Sequence, residues 1–257
     1  MTASGAPAGH ADNSVAVVIP ARFASTRLPG KPLADIAGHP MIEHVYRRAS
    51  AARGIGRVIV ATDDERISAA VRRFGGEAVM TRPDHESGTD RIAEAAAALD
   101  AAIVVNVQGD EPGVDPRSIE RAVAPVAEDP ALVMSTLGSD LDGPEDLASP
   151  HVVKVLVDNS GFALYFTRAA VPFCRDEAPL PDRVRRHIGL YVYRRAFLLA
   201  LAALPRTPLE RTESLEQLRA LEYGFRIKVV ASLRAPLPVD TPEDLERARR
   251  LAAQGLL

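Results

Sequence analysis

The sequence predicts an α/β protein with a three-layer, Rossmann-like core and a mixed-sheet insertion. In the first half of the chain, short β-branched runs alternate with helical patterns, as in a doubly wound domain. The run 102–107 has almost no polar face, which is typical of a parallel strand covered on both sides. After Met134, strands follow one another closely with little helix between them, which predicts the insertion.

The core elements are predicted from apolar periodicity and from helix caps. Val15–Ala21 reads VAVVIPA, an apolar and β-branched run that favours a buried strand. Asp64 stands directly before the helical pattern 65–74 and is a common N-cap residue. The other core elements are predicted as a helix over 41–53, strands over Arg57–Thr62, Glu77–Met80 and 102–107, and a helix over 89–99.

The second half begins with strands and ends with helices. Residues 159–161, Asn-Ser-Gly, separate strand patterns at 152–158 and 162–168, which predicts a hairpin. Thr241, followed by a proline and two acids, predicts the start of the last helix. We further predict a strand over 187–194, helices over 196–204 and 214–223, and a strand over 226–232.

The chain is expected to form a single domain. This domain covers 15–257, and the mixed-sheet insertion lies at about 133–195 within it. Residues 1–14 have the composition of a disordered leader.

The composition excludes several classes of protein. With 257 residues, 47% hydrophobic and 25% charged, the chain can bury a sizeable core and is not a disordered, collagen-like or coiled-coil protein. Its only cysteine, Cys174, argues against a disulfide framework and a thiolate-rich zinc site, and fits a reducing compartment. A net charge of −3 predicts no binding to nucleic acid and no attraction to an anionic membrane.

The sequence gives no sign of export or of a membrane span. The most apolar stretch, 196–204, is flanked by arginines and is far shorter than the roughly 20 residues that a span requires. No Lys or Arg precedes Arg22, so the basic region of a signal peptide is missing. A cytoplasmic location is therefore expected.

The loop after the first strand, 21–32, is rich in cations. Arg22, Arg27 and Lys31 stand with hydroxyl side chains and Gly30 at the carboxyl end of a first strand, where doubly wound domains bind nucleotides. Such a set suits a polyphosphate. It is neither a Walker A loop nor a G-x-G-x-x-G loop, and the alternative is a solvated basic loop.

Two aspartates are candidate metal ligands. Asp110 follows the fourth strand, and Asp240 precedes the last helix. Carboxylates at such positions can hold Mg²⁺, which prefers one or two of them together with phosphate oxygens and water. Each alone has an ordinary alternative, because Asp110 stands in a turn next to glycine and Asp240 can cap a helix. Glu111 is not included in the predicted metal site.

Taken together, eight segments carry a resemblance to a known family. In chain order they are IPARFASTRLPGKPL, VATDDERI, MTRPDHESGTDRIAE, VNVQGDEP, ALYFTR, RHIGLYVYR, PLERTESLEQLRALEYG and VDTPEDLE. This set resembles the 3-deoxy-manno-octulosonate (Kdo) cytidylyltransferases. The resemblance implies a nucleotide-diphospho-sugar transferase fold, a homodimer, the substrates CTP and Kdo, and Mg²⁺.

The resemblance also implies roles for individual residues. Asp110 and Asp240 are expected to ligate Mg²⁺, and Arg22, Lys31 and Asp110 to act in catalysis. The expected nucleotide contacts are Ala21, Arg22, Ser25, Arg27, Lys31, Arg82 and Ser87. The expected sugar contacts are Gln108, Arg168, His187, Tyr191, Glu216 and Gln217.

The expected reaction joins CTP and Kdo into CMP-Kdo and pyrophosphate, for lipopolysaccharide synthesis. Two alternatives stay open at this point. One is the activation of another sugar acid, such as sialic acid or an amino analogue of Kdo, since the first loop would serve any of these. The other is a regulator that binds the nucleotide without catalysis.

Overall fold

The structure is a computed structural model that describes residues 14–24, 28–175, 182–233 and 237–257. The predicted leader, apart from Ser14, lies outside these ranges. The strands are β1 (Val15–Ala21), β2 (Asp35–Ile36), β3 (His39–Pro40), β4 (Arg57–Thr62), β5 (Glu77–Met80), β6 (Ile103–Asn106), β7 (Met134–Ser139), β8 (Lys154–Val157), β9 (Ala163–Thr167), β10 (Val184–Arg194) and β11 (Lys228–Ala231).

The helices lie between the strands in the chain, and several of them pack on the two faces of the sheet. They are α1 (Met41–Ser50), α2 (Glu65–Arg73), α3 (Gly88–Ala97), α4 (Pro116–Glu128), α5 (Pro144–Ala148), α6 (Arg195–Ala203), α7 (Pro208–Glu213), α8 (Leu218–Glu222) and α9 (Pro242–Ala253). A 3₁₀ turn over Lys31–Leu33 lies between β1 and α1. None of the helices in the described part of the chain is both long and apolar enough to span a membrane.

Within the described residues, nine strands form one mixed sheet. The order is β11-β7-β10-β6-β1-β4-β5, and β8 pairs with β10 and β9. Strands β6, β1, β4 and β5 are parallel to one another, whereas β10 runs antiparallel to both β6 and β7. The parallel core and the mixed insertion predicted from the sequence are therefore both present.

The sheet is covered on both faces, which makes three layers. Along β1, Val17 and Ile19 belong to the hydrophobic cluster that includes residues of α1 and α4. The alternate residues, Ala16 and Val18, belong to the cluster that includes residues of α3 and α6. Because successive side chains of a strand point to opposite faces, an all-apolar strand must be buried on both sides, as predicted.

Local sequence signals predicted the starts of two helices and the position of one turn correctly. Asp64 accepts a hydrogen bond from the Arg66 amide at the start of α2, and Thr241 accepts one from the Asp244 amide at the start of α9. In the β8–β9 hairpin, Asp158 accepts hydrogen bonds from the amides of Ser160 and Phe162. The predicted N-caps and the predicted turn at 159–161 are confirmed.

The helix predicted over 214–223 is wrong in its first half. A capping box of Thr207 and Glu210 starts α7 earlier in the chain, and Ser214 ends it in the left-handed conformation at φ 53°. Helix α8 starts only at Leu218. Residues 214–217 therefore form an irregular segment between two short helices, so Glu216 and Gln217 do not lie inside a helix.

Candidate active site

Two adjoining cavities lie at the carboxyl ends of β1 and β6. The first, here the Lys31 cavity, has a volume of about 330 Å³ and contains the side chains of Lys31, Asp110 and Asp240. The second, here the His187 cavity, has a volume of about 460 Å³ and is lined by β10 and by the 214–217 segment. Arg22, Gly88 and Gln108 line both. The two cavities are therefore contiguous at these three residues.

One ammonium group connects the two predicted metal ligands. Lys31 Nζ donates to Asp110 Oδ2 at 2.7 Å and to Asp240 Oδ1 at 3.0 Å. Burial opposes the charge on Lys31, but the two carboxylates outweigh it and raise the pKa of the ammonium. The lysine is thus a fixed positive charge at the carboxyl end of the sheet.

The loop that carries Lys31 is shaped by a glycine. Gly30 has a φ of +69°, in the left-handed region that glycine adopts without strain, and its amide donates to the Phe23 carbonyl at 3.2 Å. The loop therefore turns back on itself just before the 3₁₀ turn begins at Lys31. This turn delivers the ammonium to the end of β6, where Asp110 follows.

The chemistry of this donor set fits Mg²⁺. Both aspartate oxygens lie within 3.0 Å of the same nitrogen, so they are no more than about 6 Å apart, and Mg²⁺ bonds of about 2.0–2.1 Å would require them to come within about 4.2 Å of each other. In the described ranges, no group of three or more His, Cys, Asp or Glu side chains is placed to hold a metal. Two carboxylates suit Mg²⁺, which takes its other ligands from phosphate and water, and do not suit zinc.

The His187 cavity contains an unpaired hydrogen-bond donor. The Tyr191 hydroxyl donates to Gln217 Oε1 at 3.0 Å. Gln217 is buried, and its Nε2 has no hydrogen-bond partner in the part of the chain that the structure describes. A buried amide without an acceptor is unfavourable by roughly 1–3 kcal/mol.

His187 is a neutral hydrogen-bonding group. Burial lowers its pKa to about 3. The Thr136 hydroxyl donates to the Leu190 carbonyl at 2.7 Å, and Thr136 Oγ1 lies 3.0 Å from His187 Nε2. Since the single hydroxyl proton of Thr136 is used, Nε2–H donates to Thr136 and leaves Nδ1 as an acceptor. The imidazole therefore offers an acceptor and does not serve as an acid at neutral pH.

Glu216 links the 214–217 segment to helix α3. Its Oε2 accepts hydrogen bonds from the amide and the hydroxyl of Thr89, in the first turn of α3. A carboxylate is favourable at this position because the N-terminus of a helix is electropositive. Gly88, the first residue of α3, lies where the two cavities meet, so this contact joins the walls of both.

Most of the predicted site residues come together at these cavities. The Lys31 cavity contains Ala21, Arg22, Lys31, Gln108, Asp110 and Asp240. The His187 cavity contains Arg22, Gln108, His187, Tyr191, Glu216 and Gln217. Two further predicted nucleotide contacts, Ser25 and Arg27, lie outside the described residues.

Two predicted nucleotide contacts, Arg82 and Ser87, lie outside the lining of the two cavities. Arg82 borders a separate exposed depression and pairs with Asp84 at 3.3 Å. Ser87 is buried and accepts a hydrogen bond from the Asp90 amide as the N-cap of α3, which places it directly before Gly88. Neither residue is part of the lining of the two cavities, so their nucleotide contacts stay predictions.

Arg168 is occupied by protein carbonyls. Its Nε donates to the Glu213 carbonyl at 2.9 Å and its Nη1 to the Pro150 carbonyl at 3.0 Å. It lies outside the lining of the His187 cavity, but it connects the residues just before His151 and Ser214, which do line it. In this structure the guanidinium supports two walls of the cavity, and its contact with the sugar stays a prediction.

The polar residues of the cavities that were not predicted as site residues include two arginines and a glutamate. Arg91 is buried, pairs with Asp63 at 2.9 Å and lines the Lys31 cavity. Arg186 and Glu111 line the His187 cavity. Burial, assisted by the charge of the neighbouring aspartate, raises the pKa of Glu111 to about 8. The sequence signal that could have identified Arg91 is an arginine on the apolar face of an alanine-rich helix.

Comparison with known protein families identifies the class of enzyme. A model of the family described as "Cytidylyltransferase" matches residues 16–228. The protein is therefore an enzyme of the nucleotidyltransferase class that transfers a cytidylyl group.

Curated relatives narrow the class. The chain is 56% identical to the 3-deoxy-manno-octulosonate cytidylyltransferase of Syntrophotalea carbinolica, over 91% of this chain and 96% of the relative. It is 54% identical to the one of Geobacter sulfurreducens, over 91% and 97% of the two chains. The chain belongs to the family of 3-deoxy-manno-octulosonate cytidylyltransferases, as the eight segments predicted.

Solved structures confirm the predicted fold. The structure of CMP:2-keto-3-deoxy-manno-octonic acid synthetase complexed with CTP is 46% identical, with a TM-score of 0.89, and covers 95% of this chain and 100% of its own. The 4-diphosphocytidyl-2C-methyl-D-erythritol synthase of Anaerococcus prevotii has a TM-score of 0.64 at 13% identity, over 94% and 99% of the chains. The second match concerns the fold alone.

Proposed function

We propose that this enzyme transfers the cytidylyl group of CTP to Kdo, giving CMP-Kdo and pyrophosphate for lipopolysaccharide synthesis. The observation that carries the proposal is the junction of the Lys31 and His187 cavities at Arg22, Gly88 and Gln108. A triphosphate in the first cavity and a sugar acid in the second would meet there. The curated relatives carry the name of this activity.

The reaction is an in-line substitution at phosphorus. The oxygen of the anomeric C2 hydroxyl of Kdo bonds to the α-phosphorus of CTP, and the bond from that phosphorus to the bridging oxygen of the β-phosphate breaks. The hydroxyl proton is released and pyrophosphate leaves with the bond's electron pair. Little covalent chemistry falls to the protein, so positioning and charge neutralisation supply most of the catalysis.

The cations of the Lys31 cavity receive the phosphates in this proposal. Arg22 and Lys31 line the cavity and would donate to phosphate oxygens, where negative charge builds as pyrophosphate leaves. Lys31 is a compact charge held at 2.7 Å from Asp110, so its ammonium is in place before the substrate arrives. Arg91 adds a buried positive charge to the same lining.

Asp110 and Asp240 are proposed to hold Mg²⁺. When bound, the ion draws charge from the phosphate oxygens and lowers the pKa of a coordinated hydroxyl. Both carboxylates accept hydrogen bonds from Lys31 Nζ, although one follows β6 and the other precedes α9. Lys31 then balances their charge from the side of the first loop.

The His187 cavity is proposed to bind the sugar acid. Gln108 and Gln217 bring amide side chains to its lining, and His187 offers an acceptor. Glu216 lines the same cavity and accepts hydrogen bonds from Thr89, the residue after Gly88. A polyhydroxylated acid needs such a mixture of donors and acceptors.

A cytoplasmic homodimer is proposed as the working form of the enzyme. The dimer rests on the family resemblance, and the exposed apolar side chains of Leu164 and Phe173 supply surface that a second copy would cover. The single cysteine supports a reducing compartment. Light scattering after gel filtration tests the dimer: a mass of 27.5 kDa in place of twice that value would disprove it.

A nucleotide and sugar panel tests the reaction. Pyrophosphate release is measured with CTP, ATP, GTP or UTP against Kdo, an amino analogue of Kdo and sialic acid. We expect release with CTP and Kdo at a kcat/KM at least about 100-fold above any other pair. Preference for another acid would reassign the sugar, and CTP binding without release for any acid would favour a regulator.

A further inference from the structure

The segment 237–240 brings Asp240 to the Lys31 cavity outside any strand or helix. It follows β11 in the chain and ends at Thr241, the N-cap of α9. On the α9 side its position is set by the capping box, because the amides of Asp240 and Thr241 donate to Asp244 Oδ2 at 3.1 and 3.0 Å. What holds the opposite end decides where the Asp240 carboxylate lies.

Two backbone donors tie that end to the turn after β6. The Val239 amide donates to the Asp110 carbonyl at 2.9 Å. The Leu237 amide donates to the side chain of Glu111, at Oε2, over 3.1 Å. The residues that carry the first carboxylate of the cavity therefore also hold the segment that carries the second.

Packing leaves the Glu111 side chain as the adjustable part of this contact. Val239 is fully buried in the hydrophobic cluster that includes Met41 and Leu245. Leu237 lies against Gly113, where an added Cβ would be 3.1 Å from the Leu237 Cβ. The turn and the segment thus approach closely at Gly113, and Glu111, two residues earlier, reaches across to the Leu237 amide.

We propose that Glu111 is a positioning residue that holds Asp240 opposite Asp110 through the Leu237 amide. This inference rests on the proposed function and deepens it, since it assigns a role in the Mg²⁺ site to an acid outside the two ligands. Glu111 acts through the backbone of 237–240 and does not itself bind the ion or the sugar. Its side-chain oxygen is the only part of it that this role requires.

The matched pair of variants is Glu111→Gln and Glu111→Met. Gln keeps a carbonyl oxygen that can accept from the Leu237 amide, whereas Met has similar length and offers no oxygen. Hydrogen exchange is followed by mass spectrometry on the metal-free, substrate-free protein. We expect E111M to speed exchange of the peptide that contains Leu237 and Val239 by about five- to tenfold, and E111Q by less than about twofold.

Kinetics provide the second readout. In E111M the Mg²⁺ concentration for half-maximal pyrophosphate release is expected to rise about five- to tenfold, while the KM for Kdo stays within about twofold. In an Asp240→Asn background, adding E111M should change the Mg²⁺ dependence by less than about twofold, because both changes act on one ligand. If E111M does not fold, Glu111→Asp, one methylene shorter, should give both effects in smaller measure.

The outcomes separate this inference from the proposed function. Unchanged exchange at 237–240 in E111M would overturn the positioning role, as would a rise in the KM for Kdo with an unaltered Mg²⁺ dependence. Absence of pyrophosphate release by the wild-type enzyme would overturn the proposed function alone. In that case the exchange measurement still decides whether Glu111 holds the segment.

Discussion

Asp110 and Asp240 accept hydrogen bonds from the same ammonium, at 2.7 and 3.0 Å, although one follows β6 and the other precedes the last helix. Two carboxylates at this separation would repel each other without a positive charge between them. Lys31 supplies that charge in the protein alone. The first loop, the β6 turn and the start of α9 are thus joined at one point, and the proposed reaction takes place beside it.

Asp110→Asn should abolish most turnover without unfolding the enzyme. The amide keeps the shape of the side chain and can still contact Lys31, but it lacks the charge that a divalent cation requires. We expect kcat to fall at least about 100-fold and the thermal midpoint to move by only a few degrees. Mg²⁺-dependent pyrophosphate release and a melting curve check both, with Asp158→Asn, in the β8–β9 turn and outside the lining of the Lys31 and His187 cavities, as the control.

Lys31→Met should lower the rate of catalysis, and it should make the thermal stability of the protein depend more strongly on magnesium. Loss of the ammonium removes a phosphate donor, so kcat is expected to fall about 100-fold. It also leaves Asp110 and Asp240 facing each other without a cation. Magnesium chloride should therefore raise the melting temperature of the variant more than that of the wild type; an equal shift in both would contradict the role of Lys31 as their counter-ion.

The neutral state of His187 predicts a contribution to acid sensitivity. Its pKa in the folded protein is about 3, below the ordinary value of 6.5 in the unfolded chain. The unfolded state therefore binds the proton first, and this stabilisation is present above pH 6.5 and is lost as the pH falls towards 3. The slope is at most about 1.4 kcal/mol per pH unit.

Urea unfolding at several pH values measures this effect. His187→Asn retains a donor and an acceptor but has no titrating group, so its free energy of unfolding should fall less steeply than that of the wild type between pH 6.5 and 4. Parallel curves for the two proteins would show that His187 does not carry the effect. The sugar KM of the variant, measured at pH 8, reports separately on binding.

Tyr191→Phe should weaken sugar binding and leave the nucleotide unaffected. The change removes the donor to Gln217 Oε1 and leaves that amide without a fixed orientation. A lost hydrogen bond in a buried site corresponds to a rise of about five- to thirtyfold in the KM for Kdo. The KM for CTP should stay within about twofold. Tyr223→Phe, an exposed tyrosine whose hydroxyl contacts the Pro205 carbonyl, is the matched control.

Arg22 and Arg82 should differ sharply, although both were predicted to contact the nucleotide. Arg22 lines both cavities, whereas Arg82 pairs with Asp84 beside a separate depression. We expect Arg22→Ala to lower kcat/KM for CTP at least about 30-fold, and Arg82→Ala to change it by less than about threefold. A large loss in the second variant would return Arg82 to the nucleotide site.

The layers of the core could be predicted because each depends on local pattern. An all-apolar strand such as β1 requires cover on both faces, and caps such as Asp64 act within one turn of their own helix. The segment 214–217 could not be placed, since the capping box of Thr207 and Glu210 competes with the periodicity that continues through it. Short-range signals of similar strength do not show which one prevails.

The site was predictable only where resemblance or charge pointed to it. The cluster of Arg22 and Lys31 after β1 was visible in the sequence, and so was Asp110 after β6. That Asp240 faces Asp110 depends on contacts between distant parts of the chain, which no local pattern reports. The environment of Arg168 was missed for the same reason, because its partners are the carbonyls of Pro150 and Glu213.

The left-handed residue at Ser214 separates two short helices from the four residues that form one wall of the His187 cavity. Serine adopts the left-handed conformation less favourably than glycine does, so the backbone at Ser214 is strained. Because Ser214 ends α7 and α8 begins only at Leu218, the stretch 214–217 lies outside the register of either helix, although Glu216 still contacts Thr89 of α3. Descendants of this enzyme could therefore acquire a different acceptor through changes in this short stretch that keep its contact with α3.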